Sequence, residues 1–344
     1  MSTDWQVRAQ GCVEAARRSA AWLLGQQTAD GGWRSLENPP ADAYYKVGWA
    51  FSLLGEATAA ERCLDYVRQH FLQGDGDFLP RAGLWHREVH YQYINGWTTI
   101  GAQKQGRHDV AGPGMRFLLS QQDPTHGGFY SVRAEPGHRP RTDTMSTGIG
   151  GLACLATGQI AAARRAAGFF ERLIEMQPAP AAKFYITVEA DGRPVTQFPD
   201  DEARWRVMDT QQKDQVWYAA GLPFAFAVLL HQATGEKRHA DLAGWLFDFQ
   251  SRCVNAWDGG SSGKAAWGCS MLYHQTGETR YRDIALHIAG NIMANQFPDG
   301  RIVWGGPASY GPDQAAPLAP KDFDHTAEFT IWLALTGSNL LASG

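Results

Sequence analysis

No stretch of this sequence stays apolar long enough to cross a bilayer. The longest apolar run, Ala219–Leu230, is interrupted by Pro223 and falls short of the roughly 20 residues that a spanning helix needs. The first residues, MSTDWQVRAQ, lack an apolar signal region. Cysteine is sparse. Cys12, Cys63, Cys154, Cys253 and Cys269 are odd in number and have no CxxC spacing, which argues against a disulfide framework and points to reduced thiols in a cytoplasmic protein. Basic charge is not in excess either. With 31 Lys and Arg against 35 Asp and Glu, the net charge is −4, so no basic field is available to neutralise a nucleic-acid backbone.

What the chain has in quantity is tryptophan, thirteen in all, and a recurring phrase. Arg18–Trp33, RSAAWLLGQQTADGGW, runs from an apolar helix end through Gln-Gln and Asp-Gly-Gly to an aromatic. Gly114–Tyr130, GMRFLLSQQDPTHGGFY, repeats it, and Gly244–Gly260 and Gly290–Trp304 are weaker copies. Glycine at such a place ends a helix by adopting positive φ, and the glutamines are expected to satisfy backbone groups left over at the helix end. A second signal alternates with the first: apolar helices are expected to end at Gly55, Gly106, Gly158, Gly235, Gly277 and Gly337. A repeat of this length implies a helical array.

Helices expected near 6–27, 58–72, 107–122, 159–176, 236–252 and 279–295 carry charge. Those near 41–54, 87–104, 143–157, 212–233, 262–275 and 324–336 are small, apolar and aromatic, as helices buried on both sides are. A charged ring around an apolar ring is the (α/α)6 toroid, so the expectation is an all-α chain folded as one domain over 1–344. Residues 178–210 interrupt the array. Lys183–Phe198 alternates around Asp191-Gly192 and reads as a β-hairpin, either a cover over a substrate site or a rigid decoration.

The repeat resembles the QW motif of squalene/hopene cyclases and related prenyltransferase-type toroids, through Arg18, Trp22, Leu23, Gln27, Gly31 and Trp33, and more loosely through Phe117, Gln122, Gly127 and Phe129. That resemblance implies the toroid fold. It does not supply the chemistry, because the DxDD acid is missing (Asp200-Asp201-Glu202 has the wrong spacing) and the zinc ligands are not recognisable. Gln215–Gly235 looks like an inner helix of sugar-acting toroids such as unsaturated uronyl hydrolases, with Ala219 where those enzymes carry an aspartate.

In a toroid the first residues of the inner helices share one mouth. They are Asp42 with Tyr44 and Tyr45; His86, His90 and Tyr93; Asp143; Lys213 and Asp214; Ser262 and Lys264; and Asp324, His325 and Glu328. Carboxylates and histidines in an aromatic, partly dry pocket are moved toward neutrality, where acid–base catalysis works best. Asp42, Asp143, Ser262 and Asp324 answer equally to a helix cap, stabilising by roughly 1 kcal/mol each. Asp214, with Thr210 or Asp209 free to cap, is expected one turn inside its helix. Asp214 and Asp143 are the candidate acid and base, His90 and His325 the orienting groups, and Glu328 and Asp42 further members. His325 and Glu328 share a helical face.

His86 and His90, four apart, have a spacing that can grip a metal. Without HExxH or a third ligand, no metal and no cofactor is expected. Lys264 near a helix start suits an anion or is simply solvated. Tyr45, Trp85, Tyr93, Trp217, Trp257 and Trp304 are candidate pocket walls. The reading that follows is a cofactor-independent cyclase, isomerase or dehydratase for a small, largely apolar substrate, with a homodimer possible. Its alternatives are a carbohydrate epimerase, lyase or hydrolase on the same scaffold, and a non-catalytic binding module.

Overall fold

A computed structural model describes residues 3–81, 90–306 and 317–343. Its α-helices are α1 Asp4–Gln26, α2 Val47–Leu53, α3 Ala57–His70, α4 Tyr91–Lys104, α5 His108–Ser120, α6 Thr144–Ala156, α7 Ile160–Glu175, α8 Tyr218–Thr234, α9 Lys237–Arg252, α10 Gly263–Thr276, α11 Thr279–Ala294 and α12 Pro320–Leu341. They alternate as expected. In α6 every residue from Thr144 to Cys154 is buried, whereas α7 buries one stripe of Ala, Phe and Leu. Short turns link the pairs, with Gly55, Gly106, Gly158, Gly235 and Gly277 all at positive φ. Gly337 differs from expectation. It lies inside α12, where an added Cβ would come 2.7 Å from the Ala9 carbonyl oxygen of α1. Close helix approach, not helix termination, requires glycine there.

The chain divides into two compact units, one built from residues 1–82, 97–114 and 269–344 and the other from 83–96 and 115–268. In the first, α12 packs against α1, α2 and α11. In the second, α6 and α8 pack together and are backed by α7 and α9. All five cysteines are buried and free. Burial pushes the Cys12 thiol up to about 11 and those of Cys63, Cys154 and Cys253 to about 12.

The recurring phrase proves to be a brace between helices. Gln27 donates to the Ala59 carbonyl at 3.0 Å and accepts from Arg62. Gln122 donates to the Ala162 carbonyl at 3.0 Å and accepts from Arg165 at 2.7 Å. Gln296 donates to the Ala15 carbonyl at 2.9 Å and accepts from Arg18 at 2.7 Å. Each glutamine thus grips a neighbouring helix through a carbonyl and the arginine three residues on, instead of closing its own helix end. The loop glycine completes the unit. A Cβ on Gly31, Gly127 or Gly300 would lie within 2.4 Å of the carbonyl oxygen of Arg62, Arg165 or Arg18 respectively, and each of these glycines has positive φ. The isolated bridges Gln27–Trp33, Gln122–Phe129 and Gln296–Ile302 close the same loop, and Leu72–Phe78 marks a further copy without the glutamine.

The inserted segment is not a simple hairpin. The chain does reverse at Asp191-Gly192, with the Glu189 amide donating to the Arg193 carbonyl. Its arms also pair across the turn, through the Val188–Pro194 bridge and the Val195 amide donating to the Thr187 carbonyl at 2.9 Å, but the strands have further partners outside the hairpin. β2 (Lys183–Tyr185) runs antiparallel to β4 (Val207–Asp209), and β3 (Thr187–Val188) to β1 (Thr142–Asp143). Alternation in the sequence marked the strands but carries no information about distant partners. Between β3 and β4 a 3-10 turn, Asp200–Trp205, presents Trp205.

Candidate active site

In the first unit the expected helix over 41–54 is broken into a 3-10 turn, Ala41–Ala43, and α2. The break leaves Lys46 at the start of α2 with only 2% of its surface exposed. Two carboxylates from one face of α12 meet its ammonium. Asp324 Oδ1 lies 2.7 Å from Nζ, and Glu328 Oε2 is also in hydrogen-bond contact. Their spacing of four residues is what aligns them. Trp332 Nε1 donates to the other Glu328 oxygen at 3.1 Å, and Nζ sits 4.5 Å above the Tyr45 ring. Burial works against the charge on Lys46, but Asp324 and Glu328 outweigh it and hold the ammonium above the usual lysine value. Burial, followed by Asp324 and Glu328, pushes the Tyr45 phenol well above its usual value, and Asp42 adds to this.

His325, half-buried beside Asp324, accepts a hydrogen bond from the Trp304 amide through Nδ1 at 3.3 Å. Burial holds its imidazole below the ordinary histidine value against the opposing pull of Asp324 and Glu328. A neutral ring that accepts at Nδ1 carries its proton on Nε2. Asp324 does not cap α12; Asp322 does, by accepting from the Ala319 amide at 2.7 Å. The Trp304 side chain is 49% exposed.

The second unit contains a different cluster. His90, 1% exposed and at φ +60°, enters α4 with its ring edge-on to Tyr93 at 5.0 Å and to Trp205 at 5.2 Å, and 5.6 Å from Tyr218. Its Nε2 lies 2.9 Å from the Met145 sulfur. Of the two readings of Lys264, the solvated one fails. It is buried, with Nζ 5.0 Å from the Tyr218 ring centroid. Trp217 is buried and Trp257 stacks 6.0 Å from Phe247 of α9.

Asp214 departs from its expected place, and Asp143 takes the helix-cap reading that the sequence left open. α8 begins at Tyr218, not 212, so Asp214 sits in the preceding loop. There it is exposed at φ +55° and accepts from the Asn255 amide group at 2.8 Å. Asp143 is a helix cap. One oxygen accepts from the Met145 and Ser146 amides and the other from the Ser146 hydroxyl at 2.7 Å, and burial raises its pKa despite these bonds. Ser262 turns its hydroxyl onto the Ala256 carbonyl. Trp85 and His86 lie outside the described residues. Among the described residues no group of three or more His, Cys, Asp or Glu is arranged to hold a metal ion, and no helix is long and apolar enough to cross a membrane.

Lys46 belongs to none of the motifs in the sequence. The available signal was a charge inside the apolar, aromatic run Tyr44–Leu54, where burying an ammonium requires a partner.

No family profile and no curated protein matches the chain. Solved structures do match along nearly its whole length. D-mannose isomerase is similar over 97% of this chain and 99% of its own, with 10% identity and a TM-score of 0.70. A family 76 α-mannanase of Bacteroides thetaiotaomicron is similar over 98% of both chains, with 13% identity and a TM-score of 0.64. The third is a variant of a family 76 α-1,6-mannanase from a Salegentibacter species, in complex with α-1,6-mannotriose and inactive with two consecutive aspartates replaced by asparagine. It covers 95% of this chain and 99% of its own, with 13% identity and a TM-score of 0.59. The fold is the (α/α)6 toroid.

Proposed function

We propose that this chain is a carbohydrate-active enzyme that moves protons within a sugar, in the manner of an aldose–ketose isomerase or an epimerase, on a single toroid domain carrying the 178–210 insertion. The observation that carries the reading is the buried Lys46 held by Asp324 and Glu328 beside a neutral His325. Aldose–ketose isomerisation needs a base to take the proton from C2, a donor for the carbonyl oxygen and a positive charge facing the enediolate. Asp324 is the base. His325 Nε2–H is the donor, and the Lys46 ammonium faces the developing negative charge. Glu328, with both oxygens engaged by Lys46 and Trp332, positions the lysine. The proton removed at C2 returns at C1, so no redox group is consumed.

Hydrolysis of the family 76 kind is the weaker sugar reading. A glycosidase needs two carboxyls free to flank the scissile bond, one as acid and one as base or nucleophile, whereas Asp324 and Glu328 are both engaged by one lysine. Consecutive aspartates, changed together in the inactive mannanase variant, occur in this chain only at Asp200-Asp201, on the short 3-10 turn where no residue is buried. A terpene-type cyclase would have to seat hydrocarbon against three charged side chains, at a cost in desolvation.

The test is incubation with D-mannose, D-glucose, D-fructose and other hexoses in D2O, followed by NMR. Isomerisation with deuterium entering at C1 or C2 is expected, and Asp324→Asn should lower kcat by about 10²–10⁴-fold. If no hexose takes up solvent deuterium while mannan releases reducing sugar, the isomerase reading is lost to the hydrolase one.

A further inference from the structure

A cavity of about 250 Å³ in the second unit contains none of the residues assigned above. Its floor is one stripe of α7, Phe169, Arg172, Leu173 and the following Met176, at helical spacing. Its walls are Thr125 and His126 from the braced loop after α5, and Val188, Asp191 and Gly192 from the reversal in the insertion.

Four polar groups interrupt the apolar lining. His126 is 8% exposed. Its Nδ1 accepts from the Gly128 amide at 3.4 Å, which places the proton on Nε2, and Nε2 has no hydrogen-bond partner. Asp123 Oδ1, its nearest carboxylate, stands off at 3.6 Å. Burial first, against the pull of Asp123, holds this imidazole below the usual histidine value. Arg172 donates to the His126 carbonyl and brings a guanidinium to the same wall. Asp191, tied to Arg193 at the turn, supplies an acceptor, and Thr125 a hydroxyl.

The chemistry of the lining selects its occupant. An anion would meet Asp191, and a cation would meet Arg172. A purely apolar ligand would strip water from a buried N–H that has no protein acceptor, a costly arrangement. The ligand that fits is neutral, with one apolar face and several hydroxyls that both donate and accept. We infer that this cavity is a saccharide-binding site for a single pyranose unit, its C–H face on Phe169, Leu173 and Met176 and its hydroxyls on His126, Arg172 and Asp191. The volume, near the small end of ligand sites, suits one ring and not a chain.

The ligand class is read from the cavity alone and stands apart from the Lys46 assignment. The experiment is a two-dimensional amide NMR titration of the isotopically labelled full chain with D-mannose, D-glucose, D-galactose and D-fructose, repeated with Asp191→Ala. Saturable shifts are expected at Thr125–Gly128 and Glu189–Gly192 with at least one hexose. The same shifts should persist in Lys46→Met and weaken about tenfold in apparent affinity in Asp191→Ala, a change at an exposed turn that leaves the core intact. Shifts absent at these amides with every hexose up to about 100 mM, far above millimolar dissociation constants, would overturn the site. So would shifts indifferent to Asp191→Ala. Loss of turnover in Lys46→Met with these shifts retained would separate this site from the catalytic assignment.

Discussion

At the scale of single residues, the decisive feature is a charge hidden where the sequence looked uniformly apolar. Lys46 was legible only as an exception within Tyr44–Leu54, and its partners Asp324 and Glu328 lie 278 and 282 residues away, beyond the reach of local pattern. His325 provides a test through pH. Its folded pKa is depressed by burial, so between that value and the unfolded value near 6.5 the unfolded chain binds more protons than the folded one. The stability this histidine contributes is therefore present above about pH 6.5 and lost as pH falls toward the folded pKa. Stability in urea should accordingly fall on acidification with a midpoint below about pH 6.5, a loss that is absent in His325→Gln. A midpoint at or above that value would contradict the assignment. Asp214 makes the opposite case. It was expected inside a helix, yet it holds only Asn255 at an exposed turn, so Asp214→Asn should keep full turnover and change stability by no more than about 0.5 kcal/mol, as surface substitutions do. Steady-state kinetics and a urea melt decide it.

At the scale of elements, periodicity placed the helices closely because alternate burial on one or two faces is written in local composition. Helix starts were less legible. The first residue of α8 depends on where a left-handed residue and a loop contact let the backbone turn, and Asp214 at φ +55° is invisible to a hydrophobic pattern. The brace is visible in the sequence as a motif, without its mechanics. Its partner arginines stand outside each copy, Arg62 for Gln27 and Arg165 for Gln122. Removing one half should strand the other. Gln122→Ala leaves the Ala162 carbonyl and Arg165 without their partner and should cost about 1–3 kcal/mol. A double-mutant cycle with Arg165→Ala should return a coupling energy above about 0.5 kcal/mol; strict additivity would mean that the brace contributes nothing. Gly127→Ala should destabilise further, because its Cβ would come 2.4 Å from the Arg165 carbonyl oxygen at positive φ.

At the scale of the whole molecule, the proposed activity predicts a linkage. A sugar bound only by the folded chain stabilises it by about 2.7 kcal/mol at a hundred times its dissociation constant. The Tm should therefore rise with the hexose that exchanges deuterium, and not with glycerol at the same concentration. A Tm indifferent to every substrate would count against binding at either site. The (α/α)6 class itself was already present in the linear chain, since twelve alternating segments, glycine-marked turns and a repeated Gln/Gly phrase are local facts that each helix obeys on its own. The chemistry was not. Which carboxylate caps, which one pairs, which strand finds which partner and where a lysine is buried are all settled by contacts between residues far apart in sequence. A helix cap such as Asp143 and a member of an ion cluster such as Asp324 share the same residue type, and in the sequence both read as the start of an apolar helix. They differ in what the folded chain puts opposite them: backbone amides for Asp143, a buried ammonium for Asp324.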